Sequence, residues 1–287
     1  FSLALVFGYL SKLAPDANGG PFEYTRLGMG NFSAYIVAWG YWVSIWCANA
    51  AITVAIVGYL AVFFPILAES AIVSIVTGLG MIWFFTWINS KEIKTIALVQ
   101  IIATIFKIAP ILIIGIWGLF YIQAENFTPF NLSGESDFSV ITTTTVLTFF
   151  AFLGMESATI PSGSVQDSAT TVRKATIIGT LTTVVIYIIS SVAIMGIIPA
   201  EVLAHSNAPF ADVAEIFWGE TAKYVVAAGA VVATMGALNG WILMQGAIPM
   251  AAAQAGLFPQ IFCKVNNSNS PVYGIMISSV IVSVFML

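Results

Sequence analysis

The run Phe152-Leu153-Gly154-Met155-Glu156-Ser157 places a single carboxylate, two residues after a glycine, inside an otherwise apolar helix. A charge at membrane depth is costly unless it faces protein, water or a partner ion. The glycine offers the backbone a place to leave the helix and line a cavity. Together they point to a transport site and away from a packing core.

The rest of the chain fits that setting. Of 287 residues, 59% are hydrophobic and only 8% charged, whereas a soluble domain carries about 25% charged residues. Soluble cores stop growing beyond roughly 250–300 residues, so this apolar excess cannot form one globular interior. The surface itself must be apolar, and the expected class is an all-α, multi-span membrane protein, one transmembrane domain over residues 1–287. A formal charge of −4 reflects a few loops, and no basic face exists to hold nucleic acid. Cys47 and Cys263 lie far apart in sequence and imply neither a disulfide nor a zinc site. His205 is the only histidine, so a histidine-based metal or catalytic cluster is excluded, and no cofactor is expected.

Apolar spans run over Phe1–Leu13, Phe32–Phe64, Ala71–Ile88, Ile96–Ile122, Val140–Val165, Ala175–Ile198, Ala222–Ala253 and Val272–Leu287. The first and last are shorter than the roughly 20 residues that cross a bilayer, and both ends read as truncations of a larger protein. The second and seventh are long enough to tilt strongly or project beyond the bilayer. Basic residues mark alternate connections: Lys12 and Arg26, Lys91 and Lys94, Arg173 and Lys174, then Lys264. The intervening connections are acidic, with Lys223 the one basic residue flanking that side. The excess of Lys and Arg on cytoplasmic loops places the basic connections in the cytoplasm. Within the acidic connection Pro199–Thr221, the pattern Ala211–Phe217 suits a short surface helix.

Several intramembrane residues carry candidate chemistry. Glu156 fits a proton-sensitive gate or a counter-charge for a cationic substrate; a carboxylate tied to backbone groups is the structural alternative. Lys107 lies about 18 Å into its span, too deep to snorkel easily. It fits either an ammonium standing where another transporter holds sodium, or a permanent ion pair. Trp241 follows Asn239-Gly240 inside a long helix, and an indole face can hold a cation. Phe149 and Phe150 lie about one turn before Gly154, and Tyr41, Ser44 and Asn49 follow one another at spacings of 3 and 5. By spacing alone these read as lining or packing residues.

The runs Gly19-Gly20-Pro21-Phe22-Glu23-Tyr24-Thr25-Arg26, Tyr41-Trp42, Trp46-Cys47-Ala48-Asn49, Gly154-Met155-Glu156-Ser157, Ala193–Pro199, Gly240-Trp241 and Gly256-Leu257-Phe258-Pro259 occur in this order. In combination they resemble the amino acid–polyamine–organocation superfamily, and most of all its basic amino acid/polyamine antiporters. The resemblance covers essentially the whole chain. It implies the leucine-transporter fold, twelve helices with two inverted five-helix repeats, of which helices two to nine are present with partial ends. It implies alternating-access transport of an amino acid or amine across a lipid bilayer, no enzyme activity, and a possible homodimer. By motif, Gly154, Met155 and Glu156 resemble the sixth-helix break and its gating glutamate. Trp241 resembles the tryptophan that packs on the substrate side chain, Ser44 and Asn49 resemble polar pocket residues, and Tyr41 an inner-gate tyrosine. Three positions depart from arginine exchangers: Phe150 replaces a substrate-lidding tryptophan, Phe22 a tyrosine linked to pH sensing, and Lys107 resembles a lysine of proton-coupled, neutral amino acid branches. Exchange of cationic substrates and proton-coupled, sodium-independent uptake of neutral ones therefore both stay open. Outside transport, a structural membrane subunit is the remaining alternative.

Overall fold

The computed structural model describes residues 1–287 except 16, 18, 91–107, 153, 161–166, 207 and 267–269, and the side chains of 150 and 168. Among the described residues, ten principal helices follow in chain order: α1 (Ser2–Leu13), α2 (Pro21–Met29), α3 (Asn31–Ala61), α4 (Ala71–Asn89), α5 (Ile108–Tyr121), α6 (Asp137–Phe150), α7 (Ser168–Ile197), α8 (Pro209–Trp218), α9 (Glu220–Gln254) and α10 (Val272–Phe285). Short one-turn helices fill several connections, and no strand occurs among the described residues. Four of the helices, α3, α4, α7 and α9, are long and apolar enough to cross a membrane. With 31 and 35 residues, α3 and α9 reach about 46 and 52 Å at 1.5 Å per residue, well beyond a hydrocarbon core of about 30 Å.

The helix limits follow local chemistry. Ser70 caps α4, its hydroxyl accepting from the Val73 amide at 3.5 Å. Ser136 caps α6 through the Ser139 amide at 3.3 Å. Pro209 opens α8, where its missing N–H costs nothing. That helix is the surface element expected from Ala211–Phe217. The sequence reading passed over α2, which it left in a connection; Pro21 at its start and Glu23 in its first turn are the local signals for it. The span Ile96–Ile122 is described only from Ile108 onward, so Lys107 lies outside the described residues.

The chain divides into two compact units. The first comprises Phe1–Tyr24 and Ile114–His205. Here α1 packs along α7, and the segment after α6 packs on both. The last turn of α5 lies close to α7: a Cβ on Gly118 would stand 2.9 Å from Ala193 and from Ile197. The Asn126 amide ties the turn after α5 to α7 by donating to the Gly196 carbonyl at 2.9 Å.

The second unit comprises Thr25–Ile113 and Ser206–Leu287. Its spine is α9 against α3, flanked by α4 and α10. Ile56, Phe85, Leu238, Ile242 and Ile275 form its apolar core. Helices α9 and α10 meet almost backbone to backbone. A Cβ on Gly246 would stand 2.5 Å from Ile275 Cγ1, and one on Gly274 would stand 3.0 Å from the Gly246 carbonyl oxygen. Small residues at such crossings replace the hydrophobic driving force that lipid does not provide between helices. At one end, Trp39, Trp42 and Trp46 cluster on α3, where Phe258 meets Trp39 and Trp42 and Phe262 meets Trp42, with Trp42 to Trp46 at 4.5 Å and Trp42 to Phe262 at 5.2 Å between ring centroids. The Gly256–Pro259 motif thus supplies part of an aromatic cluster on α3.

Candidate functional site

The break in the helix after α6 is the first element of the site. The α6 ladder stops at Phe150, and the next amides turn back by three residues, Ala151 to the Thr148 carbonyl and Phe152 to the Phe149 carbonyl. Gly154 adopts φ +105° and ψ −8°, a region that side chains with a Cβ rarely enter. A 3₁₀ segment, Met155–Thr159, then begins. The expected interruption near Gly154 is thus a feature of the fold, and its cause is local: a glycine supplies a backbone angle that helix does not allow.

Glu156 is buried, with 6% of its surface exposed. Both carboxylate oxygens accept from the Gly154 amide at 3.1 Å. No cation pairs with it among the described residues. The carboxylate therefore satisfies a donor that the broken helix orphaned, as an acidic cap does at any helix start. Ser157 and Thr159 stabilise the same turn, their hydroxyls donating to the Gly154 and Glu156 carbonyls at 2.6 Å each. The Gly19 amide donates to the Ile160 carbonyl at 3.1 Å, which ties the Gly19-Gly20 motif to this segment. The carboxylate and the amide thus close the turn on itself. Met155 is half-buried beside it. The Phe152 ring lies 5.3 Å from Tyr187 of α7. Phe150 ends α6, and its side chain is outside the described set.

The remaining candidates belong to the second unit. Tyr41 and Ser44 are half-buried on α3, and Ser44 donates to the Tyr41 carbonyl at 2.7 Å. Asn49 is fully buried and donates to Gln245 Oε1 on α9 at 2.7 Å; its own Oδ1 has no partner among the described residues. Trp241 is half-buried on α9, which runs unbroken past Gly240. Gly154, Met155 and Glu156 therefore share one turn of the first unit, and Tyr41, Ser44, Asn49 and Trp241 lie on two helices of the second.

A residue that the sequence reading overlooked is Gln245. Its amide nitrogen donates to Ser279 Oγ at 2.7 Å and to the Ile275 carbonyl at 3.2 Å. Its backbone carbonyl accepts from Trp42 Nε1 at 3.0 Å and from Ser278 Oγ at 3.1 Å. Thr86 extends the network, its hydroxyl 2.6 Å from Ser279 Oγ, and Asn89 donates to Asn239 Oδ1 at 2.9 Å. A polar amide inside an apolar helix was the available signal, weaker than the charge that drew attention to Glu156.

Among the described residues no group of three histidine, cysteine or acidic side chains is placed to hold a metal. Cys47 and Cys263 are free thiols.

The family model described as "Amino acid permease" matches residues 1–287. The chain is 33% identical to a putative arginine/ornithine antiporter of Bacillus subtilis (strain 168), covering 99% of this chain and 66% of that protein. It is 30% identical to an arginine/agmatine antiporter of Chlamydia pneumoniae, covering 100% of this chain and 61% of that protein. It is 29% identical to a cadaverine/lysine antiporter of Escherichia coli (strain K12), covering 100% and 64%. The chain thus spans less than two thirds of the length of these relatives. A match over its whole length, together with the apolar helices of a multi-pass integral membrane protein, places this chain in the amino acid permease family.

Proposed function

We propose that the protein is a secondary transporter that exchanges a cationic amino acid for its amine or for another amino acid by alternating access. The observation that carries this reading is the helix interrupted at Gly154, with a buried carboxylate latched to the freed amide. Interrupted membrane helices present backbone groups and helix-end dipoles to charged substrates. The names of the similar proteins, antiporters of arginine/ornithine, arginine/agmatine and cadaverine/lysine, favour cationic substrates. No bond is made or broken in such a cycle, so the protein is not an enzyme.

In this reading Gly154 and Met155 offer backbone groups to the substrate's ammonium, while Phe150, Ser44 and Asn49 line its path. Trp241 packs on the substrate side chain. Glu156 couples occupancy to gating, and Tyr41 serves the inner gate. Trp241→Leu should weaken substrate binding by about 0.5–2 kcal/mol through loss of the cation–π contact, as scintillation proximity binding on the full-length protein would register. The Lys- and Arg-bearing connections face the cytoplasm, the membrane is the cell or inner membrane, and self-association as a homodimer belongs to the same reading.

Lys107 favours a second reading, proton-coupled and sodium-independent uptake of neutral amino acids. Counterflow of labelled amino acids into proteoliposomes separates the two. An exchanger needs internal substrate, a proton symporter responds to an imposed pH gradient without it, and absence of any flux would remove both.

A further inference from the structure

We propose that the first unit binds the phosphate headgroup of an anionic phospholipid in a cationic cavity between α1 and α7. The two helices run antiparallel here: Gly8 of α1 lies against Arg173 and Ile177 of α7, and Lys12, one turn further along α1, meets the start of α7. The cavity holds about 420 Å³. Lys12, Thr170, Arg173 and Lys174 line it, with Ile177 and Ile178 as its apolar wall, and no acidic side chain is among its described lining residues.

Three cations around one cavity repel one another. None of the three has a carboxylate partner among the described residues, unlike Lys223, which pairs with Glu215 at 2.7 Å. The Arg173 stem is held in place: a Cβ on Gly8 would stand 3.3 Å from Arg173 Cγ, so the absent side chain leaves room for it. Thr170 adds an exposed hydroxyl, and the first turn of α7 adds the positive end of its helix dipole. These groups together demand an anion with several acceptor oxygens, and Arg favours the fork geometry of a phosphate.

The surroundings select a lipid over a soluble phosphate. The cations sit in the last turn of α1 and the first two turns of α7, the level at which membrane helices meet headgroups. Away from them, α7 turns large apolar side chains outward: Ile178, Leu181, Val185 and Ile188 are 61%, 50%, 48% and 59% exposed. A phospholipid would place its phosphate among the cations and its acyl chains along that row. Because α1 and α7 both pack on the 3₁₀ segment that carries Glu156, a bound headgroup would brace the broken helix. The site rests on charge and shape; the sidedness proposed above only assigns it to the inner leaflet, and the transported substrate plays no part in it.

Native mass spectrometry of the full chain, titrated with phosphatidylglycerol or phosphatidylcholine, tests this. Phosphatidylglycerol should bind in clear preference to phosphatidylcholine. In the double variant R173Q/K174Q its affinity should fall by about 25-fold, at about fivefold per charge near a membrane surface. K12Q, at an exposed helix end, should cost about fivefold, while K223Q should change nothing. Equal binding of the two lipids, or unchanged phosphatidylglycerol affinity in K12Q and the double variant, would overturn the proposal. So would displacement of the lipid by millimolar inorganic phosphate, which would mark a site for a soluble anion.

Discussion

At the scale of single residues, Gly154 and Glu156 act as one device. The backbone angle at Gly154 frees an amide, and the Glu156 carboxylate takes it up. Gly154→Ala should cost about 1–3 kcal/mol, because a Cβ is strained at φ +105°. The cost should appear as a lowered unfolding temperature in detergent together with reduced transport. Glu156→Gln separates charge from shape. A glutamine keeps a carbonyl oxygen that can accept from the Gly154 amide, so the turn should survive and the unfolding temperature should change little. If the charge drives gating, turnover should fall well before equilibrium substrate binding does. A parallel loss of both, or full transport by the variant, would leave Glu156 with its capping role alone. The sequence made this residue conspicuous through the cost of a charge among apolar neighbours. Only the folded turn shows that the carboxylate reaches back two residues to its own backbone.

At the scale of elements, the second unit is held by polar contacts inside apolar helices. Gln245 bonds α3 through Asn49 and α10 through Ile275 and Ser279. Gln245→Leu would leave the buried Asn49 amide without its acceptor. Hydrogen bonds between membrane helices are modest singly, and the orphaned group adds to the loss, so destabilisation of about 1–3 kcal/mol is expected. Steric trapping or thermal unfolding of the purified protein would measure it; an unchanged stability would mean that water or a repacked side chain satisfies Asn49. Helix existence was legible from apolar runs: the expected Ala71–Ile88 is α4 to within one residue, and Phe32–Phe64 contains almost all of α3. The amphipathic Ala211–Phe217 lies within α8. Less legible was α2, whose polar composition matches a loop as well as it matches a surface helix.

For the whole molecule, the proposed orientation in the membrane rests on charge. The sequence assigns Lys12, Arg26, Lys91, Lys94, Arg173, Lys174 and Lys264 to alternate connections, whereas Lys12 lies in the last turn of α1, Arg26 in α2, and Arg173 and Lys174 in the first turns of α7; Lys91 and Lys94 lie outside the described residues. With Cys47 and Cys263 replaced by serine, Ser133→Cys should react with an impermeant maleimide on intact cells, and Lys264→Cys only after permeabilisation. The opposite labelling would invert the orientation proposed for the entire chain. The two compact units divide the chain at Tyr24, Ile113 and His205, so each is assembled from segments distant in sequence.

Hydrophobicity, helical length and loop charge, all read from the sequence, determined that this chain is an all-α, multi-span membrane protein, that a helix breaks at Gly154, and which motifs it shares with amino acid permeases. These are local properties: a transfer free energy and a backbone angle depend on a residue and its near neighbours. The partners were decided by tertiary structure. A helical repeat fixes the face on which Asn49, Gln245 or Arg173 lies, but it does not say which helix covers that face. Asn49 meets a glutamine 196 positions away, and Arg173 shares a cavity with Lys12 across 161 positions. Such contacts arise only when non-adjacent helices pack, and the small side chains that permit the packing, as at Gly246 and Gly274, carry no signature of the partner they admit.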